Sequence, residues 1–141
     1  MAMTMHVDVV SAEGEIFSGT VEEVYAPAEM GEVGILPRHT PLVTRLKPGE
    51  VRVKPEGKSE MESIFGSGGI LEVQPHVVTV LADSGMRADD LDEAAALEAK
   101  QRAEEALKDL DSDRDYAKVK AELLAAAAQL EMLQKLRKKG R

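Results

Sequence analysis

The order of apolar and polar positions divides the chain into two stretches of different period. Across residues 5–82, short β-branched runs alternate with polar positions and are broken by glycine and proline, the period-two signature of strands. Residues 6–10 set Val7 and Val9 on one face, residues 21–26 form a second run, and 42–46 and 51–54 flank the turn at Lys47, Pro48 and Gly49. Further runs cover 61–65, 70–73 and 77–81. Strands this short and closely spaced predict a flattened antiparallel β sandwich or barrel, not a parallel sheet with crossover helices.

Past Asp83 the character changes. After Asp89, Asp90, Leu91 and Asp92, the sequence is dominated by Ala, Leu, Glu, Lys and Gln, all strong helix formers. Ala96, Ala99, Ala103, Ala106 and Leu110 follow three-four spacing and mark one helical seam, with Asp90 or Asp92 placed to cap its start. A break at Asp111, Ser112, Asp113, Arg114 and Asp115 precedes a second seam of Tyr116, Val119, Leu123, Ala126, Leu130 and Leu133. So short a connection predicts an antiparallel two-helix hairpin. The expected organisation is therefore a β domain over 1–86 and a C-terminal α-helical hairpin over 87–141. A buried methylene contributes about 0.8 kcal/mol, so seams rich in alanine hold two helices weakly and suit a conformational switch.

Composition narrows the function. The chain has 141 residues, 43% hydrophobic and 31% charged but only 3% aromatic, so its core must be aliphatic. It has no cysteine, which excludes disulfides, thiolate metal sites and a cysteine nucleophile. A net charge of -8 argues against nucleic acid, since phosphate binding needs clustered cations. The cations Lys135, Arg137, Lys138, Lys139 and Arg141 gather at the C-terminal end, where they suit the negative pole of the second helix. Neither the opening Met1 to Met5 nor any later segment reads as a signal peptide or a membrane span. Membrane association is expected only through a partner.

Several motifs imitate catalytic or ligand sites. Gly57, Lys58 and Ser59 resemble the end of a phosphate loop, but Arg52 occupies the first glycine position and a strand follows where a helix N-terminus is needed. Asp111, Asp113, Asp115 and Glu122 imitate a calcium loop, yet Tyr116 stands where the turn demands glycine. Gly66, Ser67, Gly68 and Gly69 lie between strands and read as a tight turn or bulge. His6, His39 and His76 are too scattered for a metal triad; His6 and His76 are expected at ordinary strand positions. His39 sits in a loop from Val33 to Leu42, stiffened by Pro37 and Pro41, where binding residues concentrate on a β scaffold. Bonding to its own local backbone is the alternative for it.

A longer ordered set carries a resemblance. Ser11, Ala12 and Glu13, then Gly31 through Leu42, then Lys47, Pro48 and Gly49, strongly resemble the epsilon subunit of bacterial F-type ATP synthases. The match runs on through Ser67 to Val73, Val78 to Asp83, and Leu91 to Ala94. The resemblance implies a non-catalytic rotor subunit of the central stalk, peripheral on the cytoplasmic face of the bacterial inner membrane. It implies contacts with the gamma subunit and the c-subunit ring, with Glu32 and His39 as candidates for that docking. It implies that the helices extend toward the catalytic alpha and beta subunits and restrain ATP hydrolysis, with Lys118, Lys120, Arg137, Lys138 and Lys139 as the available cations. Protons are the coupling ion expected for the family. No cofactor is expected. Relatives that bind ATP on the hairpin carry Leu or Ile, Asp, two variable residues, Arg, Ala; here Leu91, Asp92, Glu93, Ala94, Ala95 and Ala96 lack the arginine, and Ala126 and Gln129 stand where helper arginines would lie. Phosphate then has no cationic partner. The alternative functions are a nucleotide- or calcium-sensing module on the hairpin, or a small hydrolase built on His39.

Overall fold

A computed structural model describes the backbone of residues 3–108 and 113–139, and the side chains of 3–108 and 116–137. Leu110, Asp111 and Ser112 lie outside the described residues. The side chains of Asp113, Arg114, Asp115, Lys138 and Lys139, and all of Arg141, lie outside them too. The chain divides into two units, Met1–Ala88 and Asp89–Arg141.

The first unit is built from β1 (Met5–Ser11), β2 (Gly14–Ala28), β3 (Gly31–Ile35), β4 (Leu42–Leu46), β5 (Gly49–Pro55), β6 (Glu62–Gly66), β7 (Gly69–Val73), β8 (Val77–Ala82) and β9 (Gly85–Arg87). Strands β1, β8, β7, β4 and β2 follow one another around a closed circuit, because β2 bonds back to β1. From β2 the sheet continues through β5 and β6 to β9, and β3 pairs with β2 alone. At 15 residues, β2 is long enough to serve both parts, its first half lying on β1 and its second on β3 and β5. Register shifts at Val9/Val10 against β2 and at Val21/Glu23 against β5 mark where the strands bend to make that turn.

The sandwich forms as its alternation predicts, with two differences. Residues 33–35, expected in a loop, belong to β3, so the connection to β4 is 36–41. The pair β1–β8 is parallel, His6 to Val10 lying in register with Val77 to Leu81. No hairpin joins these two strands, so no tight turn forces them antiparallel.

The core is aliphatic. Met5, Val7 and Val9 of β1 meet Val21 and Val24 of β2, Val51 and Val53 of β5, Leu71 and Val73 of β7, and Val78 and Val80 of β8. Strict alternation fixes this: in β5 the residues Val51, Val53 and Pro55 are buried while Arg52 and Lys54 are not. Phe17 is the aromatic member of this cluster.

The second unit holds α1 (Glu93–Lys108) and α2 (Asp113–Lys139), preceded by a 3-10 turn at Ala88–Asp90. Asp92 caps α1, accepting hydrogen bonds from the amides of Ala94 at 3.0 Å and Ala95 at 3.4 Å. Ala96 and Ala103 of α1 and Ala126 and Met132 of α2 are buried. Arg137 near the end of α2 reaches Glu93 at the start of α1, so the helices run antiparallel. The second seam follows its expected line through Val119, Leu123, Ala126, Leu130 and Leu133, which are half-buried or buried, with two differences: Tyr116 is exposed, and Met132 is buried as well.

Candidate functional site

Strands β2 and β3 are joined by a two-residue turn, Glu29 and Met30, between the paired residues Ala28 and Gly31. Gly31 adopts φ 129°, which only glycine takes without strain. The turn is strapped from the side: the Glu29 amide donates to the Arg45 carbonyl at 3.0 Å and the Lys47 amide to the Pro27 carbonyl at 2.8 Å. Met30 projects from it 99% exposed.

Glu32 follows immediately, with its carboxylate ion-paired to Arg52 of β5. Arg52 also lies 4.9 Å from the centre of the Tyr25 ring and 3.6 Å from Glu50. Its guanidinium is thus held on three sides, by two carboxylates and an aromatic face.

His39 lies elsewhere, in the loop after β3. Its Nδ1 donates to the Thr40 carbonyl at 2.6 Å and its amide to the Leu36 carbonyl at 3.2 Å. The loop is tied by the Arg38 amide to the Pro75 carbonyl at 2.9 Å, with Arg38 itself at φ 66°. His39 thus bonds to its own local backbone, and among the described residues no group bonds to both Glu32 and His39. His76, expected in a strand, lies in the bend between β7 and β8, because Gln74 and Val77 close that turn.

Sequence reasoning missed an apolar row on the outer face of the sheet. Leu81 is in register with Val10 on one side and Ile70 on the other, and Ile70 and Leu81 are 43% and 47% exposed. On β4 the residue facing Ile70 is Arg45, which ends the row; Val43, 70% exposed, lies further along that strand opposite Glu72. A groove of about 360 Å³ opens here, lined by Val10, Ser11, Ile70 and Leu81 with Asp83 at its edge. The signal was present in the sequence. Val9-Val10, Ile70-Leu71 and Leu81-Ala82 are apolar at consecutive positions, so each strand is apolar on both faces at that point, whereas a solvated face reads polar.

His6, Asp8 and Ser18 form a triangle on β1 and β2 that imitates a hydrolytic triad. His6 Nε2 lies 2.9 Å from Asp8 and 3.3 Å from Ser18, and the Ser18 hydroxyl donates to Asp8 at 2.7 Å. A relay needs the acid on one imidazole nitrogen and the serine on the other. Here both share one nitrogen and the serine proton faces the acid, so nothing activates the hydroxyl.

The remaining motifs resolve simply. Gly57 and Lys58 form a turn into β6 with no helix behind it, and Gly68 and Gly69 make the turn into β7 at φ 121° and 139°. Among the described residues no cluster has the makings of a metal site, and the aspartates of the calcium-like break lie outside those whose side chains are described. On α2, Lys118 and Lys120 are exposed, with Lys120 5.8 Å from the Tyr116 ring. Two residues apart, they point to different sides of the helix. Among the described residues no helix is long and apolar enough to cross a membrane.

The chain thus joins a closed β-sandwich unit to a separate unit of two antiparallel helices. The model of the ATP synthase delta/epsilon chain β-sandwich domain matches residues 4–88, and that of the long α-helix domain of the same chains matches 89–134. The chain is 69% identical over 140 residues to the ATP synthase epsilon chain of Nitrosococcus oceani, covering 99% of each. It is 65% identical over 141 residues to that of Thioalkalivibrio sulfidiphilus, covering 100% of each. Its fold resembles a chain in the cryo-EM structure of the Euglena gracilis mitochondrial ATP synthase, OSCP/F1/c-ring in rotational state 1, with a TM-score of 0.80 at 20% identity over 92% of this chain and 81% of that one. The chain belongs to the ATP synthase epsilon chain family.

Proposed function

We propose that this chain links the gamma subunit to the c-subunit ring in the central stalk, at the cytoplasmic face of a bacterial inner membrane, and restrains ATP hydrolysis through its helices. Catalysis belongs to other subunits, and ion flow, protons in the usual case, reaches them through the rotor that this chain braces. The observation that carries the reading is the outer apolar row of Val10, Leu81 and Ile70, cross-strand neighbours on β1, β8 and β7. An exposed apolar row of this kind marks a protein contact surface, and we assign it to gamma. The strapped tip after β2, with Glu32, and the loop of His39 serve the docking of the β domain, the tip on the ring.

The helical pair supplies the brake. Among the described residues its fully buried side chains are three alanines and one methionine, so its grip is modest and a partner can draw the helices apart. Lys118, Lys120, Arg137, Lys138 and Lys139 then meet acidic groups of the catalytic subunits. Removing Asp89–Arg141 is expected to leave assembly intact and to raise ATP hydrolysis by the complex. Unchanged hydrolysis, under conditions that favour extended helices, would refute the brake. Nucleotide sensing on the hairpin is not favoured: Ala95, Ala126 and Gln129 stand where arginines would hold the phosphates, and Ala126 is buried in the seam. Flat calorimetric traces with ATP are expected for the isolated chain.

A further inference from the structure

Strand β9 ends the β unit and is the root from which the helical unit departs, yet it has only 3 residues, Gly85–Arg87. It pairs with β6 alone, Gly85 to Gly66, Met86 to Phe65 and Arg87 to Ile64. So short a ladder at a sheet edge frays readily unless side chains hold it. Here they hold both ends. At the start, the Ser84 amide and hydroxyl each donate to the Ser67 hydroxyl oxygen at 2.9 Å, and the Ser67 amide donates to the Ser84 carbonyl at 2.9 Å. At the finish, Arg87 Nε donates to the Ile16 carbonyl at 2.9 Å and the guanidinium lies 5.9 Å from the centre of the Phe17 ring. Between them Gly85 lies against Ile16, where a Cβ would stand 2.6 Å from its Cδ1. The first half of β2 therefore closes over β9.

We propose that Arg87 is a positioning residue for the brake: by fastening the end of β9 to Ile16 and Phe17, it confines the pivot of the helices to residues 88–91. This rests on the brake proposed above. Beyond Arg87 come the 3-10 turn Ala88–Asp90 and then Asp92, which already caps α1. The link 88–91 reaches at most about 14 Å, whereas 85–91, with β9 loose, reaches about 24 Å. The volume open to the helices grows as the cube of that reach, about fivefold, and their effective concentration at a site on another subunit falls by the same factor. Arginine suits the task, because its planar cation stacks on a ring while Nε donates and it keeps its charge at any physiological pH.

The test uses ATP synthase stripped of this chain and saturated with full-length variants, with hydrolysis read against complexes whose chain lacks Asp89–Arg141. Arg87→Met is expected to lower the ratio of braked to unbraked complexes by about two- to fivefold, to speed amide exchange at residues 86 and 87, and to leave melting of the β domain unchanged. Inserting Gly-Ser-Gly after Ala88 lengthens the link with the clamp intact and should lower the same ratio by about fivefold. If removing Asp89–Arg141 leaves hydrolysis unchanged, the brake beneath this proposal fails. If the brake exists and Arg87→Met speeds exchange in β9 without weakening it, Arg87 does not set the pivot. If exchange in β9 keeps its parental rate in Arg87→Met, the clamp itself is wrong.

Discussion

Arg137, near the end of α2, is ion-paired with Glu93, the first residue of α1. The pair ties the last turns of α2 to the first turn of α1. One cation proposed to meet the catalytic subunits is therefore engaged within the hairpin, and separating the helices must break that pair first. Exposed pairs contribute about 0.2–1 kcal/mol. Glu93→Gln should thus move the balance between closed and separated helices by up to roughly fivefold toward separation. Fluorescence energy transfer between dyes on α1 and α2 reads the shift, and hydrolysis should fall in parallel.

The seam offers a larger lever. Met132 is 2% exposed. Among the described residues it is the one fully buried hairpin side chain larger than alanine, so Met132→Ala removes that burial while improving helix propensity. A loss of about 2–3 kcal/mol of hairpin stability is expected, since burial of a large side chain is forfeited. Amide exchange across α1 should rise, and the β domain should melt as before.

The hairpin was legible in the sequence because three-four spacing survives in alanine: Ala96 and Ala103, read as seam, are buried. Tyr116 was misread and Met132 missed because both patterns fit a helical period, and only packing separates them. In the β unit, alternation located the larger strands but not β3. Its Gly34 looks like a loop residue, yet a Cβ there would lie 2.9 Å from the Tyr25 ring, so glycine is present to let that ring cover the strand. Strand direction was also illegible, because alternation reads the same in parallel and antiparallel pairs. The Glu32–Arg52 brace joins β3 to β5 through no local spacing, so it became visible only with the fold.

Acid sensitivity has an assignable contributor. The Ser18 hydroxyl and the His6 imidazole bond Asp8 and hold its carboxyl below the usual 3.8. A carboxylate with a lowered folded-state value contributes stability above its unfolded value and loses it as pH falls through the folded one. Melting temperature should therefore drop between neutral pH and about pH 3 by less in Asp8→Asn than in the parent. Equal slopes in both proteins would assign the acid loss to other groups.

Gly69 is a position where one methyl group should disable the β domain. It opens β7 at φ 139°, and a Cβ would stand 2.0 Å from the Leu81 carbonyl oxygen. Neither backbone can yield, because β7 and β8 are paired there. Gly69→Ala is expected to cost about 3 kcal/mol or more. Gly57→Ala, at φ 76° with open space around it, should cost about 1 kcal/mol. Denaturant unfolding of the two variants checks the contrast.

The outer apolar row separates a docking role from a folding role most directly. Ile70 and Leu81 are neighbours across β7 and β8 and point away from the core that Leu71 and Val80 fill. Replacing surface residues usually changes stability by no more than about 0.5 kcal/mol. Ile70→Ser with Leu81→Ser should therefore fold and melt like the parent. If the row docks gamma, the same change strips the centre of that interface, and affinity for gamma should fall by about tenfold or more. Hydrolysis by complexes assembled with the double variant should then lose its response to added chain at concentrations that saturate the parent. Normal gamma binding by a stably folded double variant would show that the row is covered by something else.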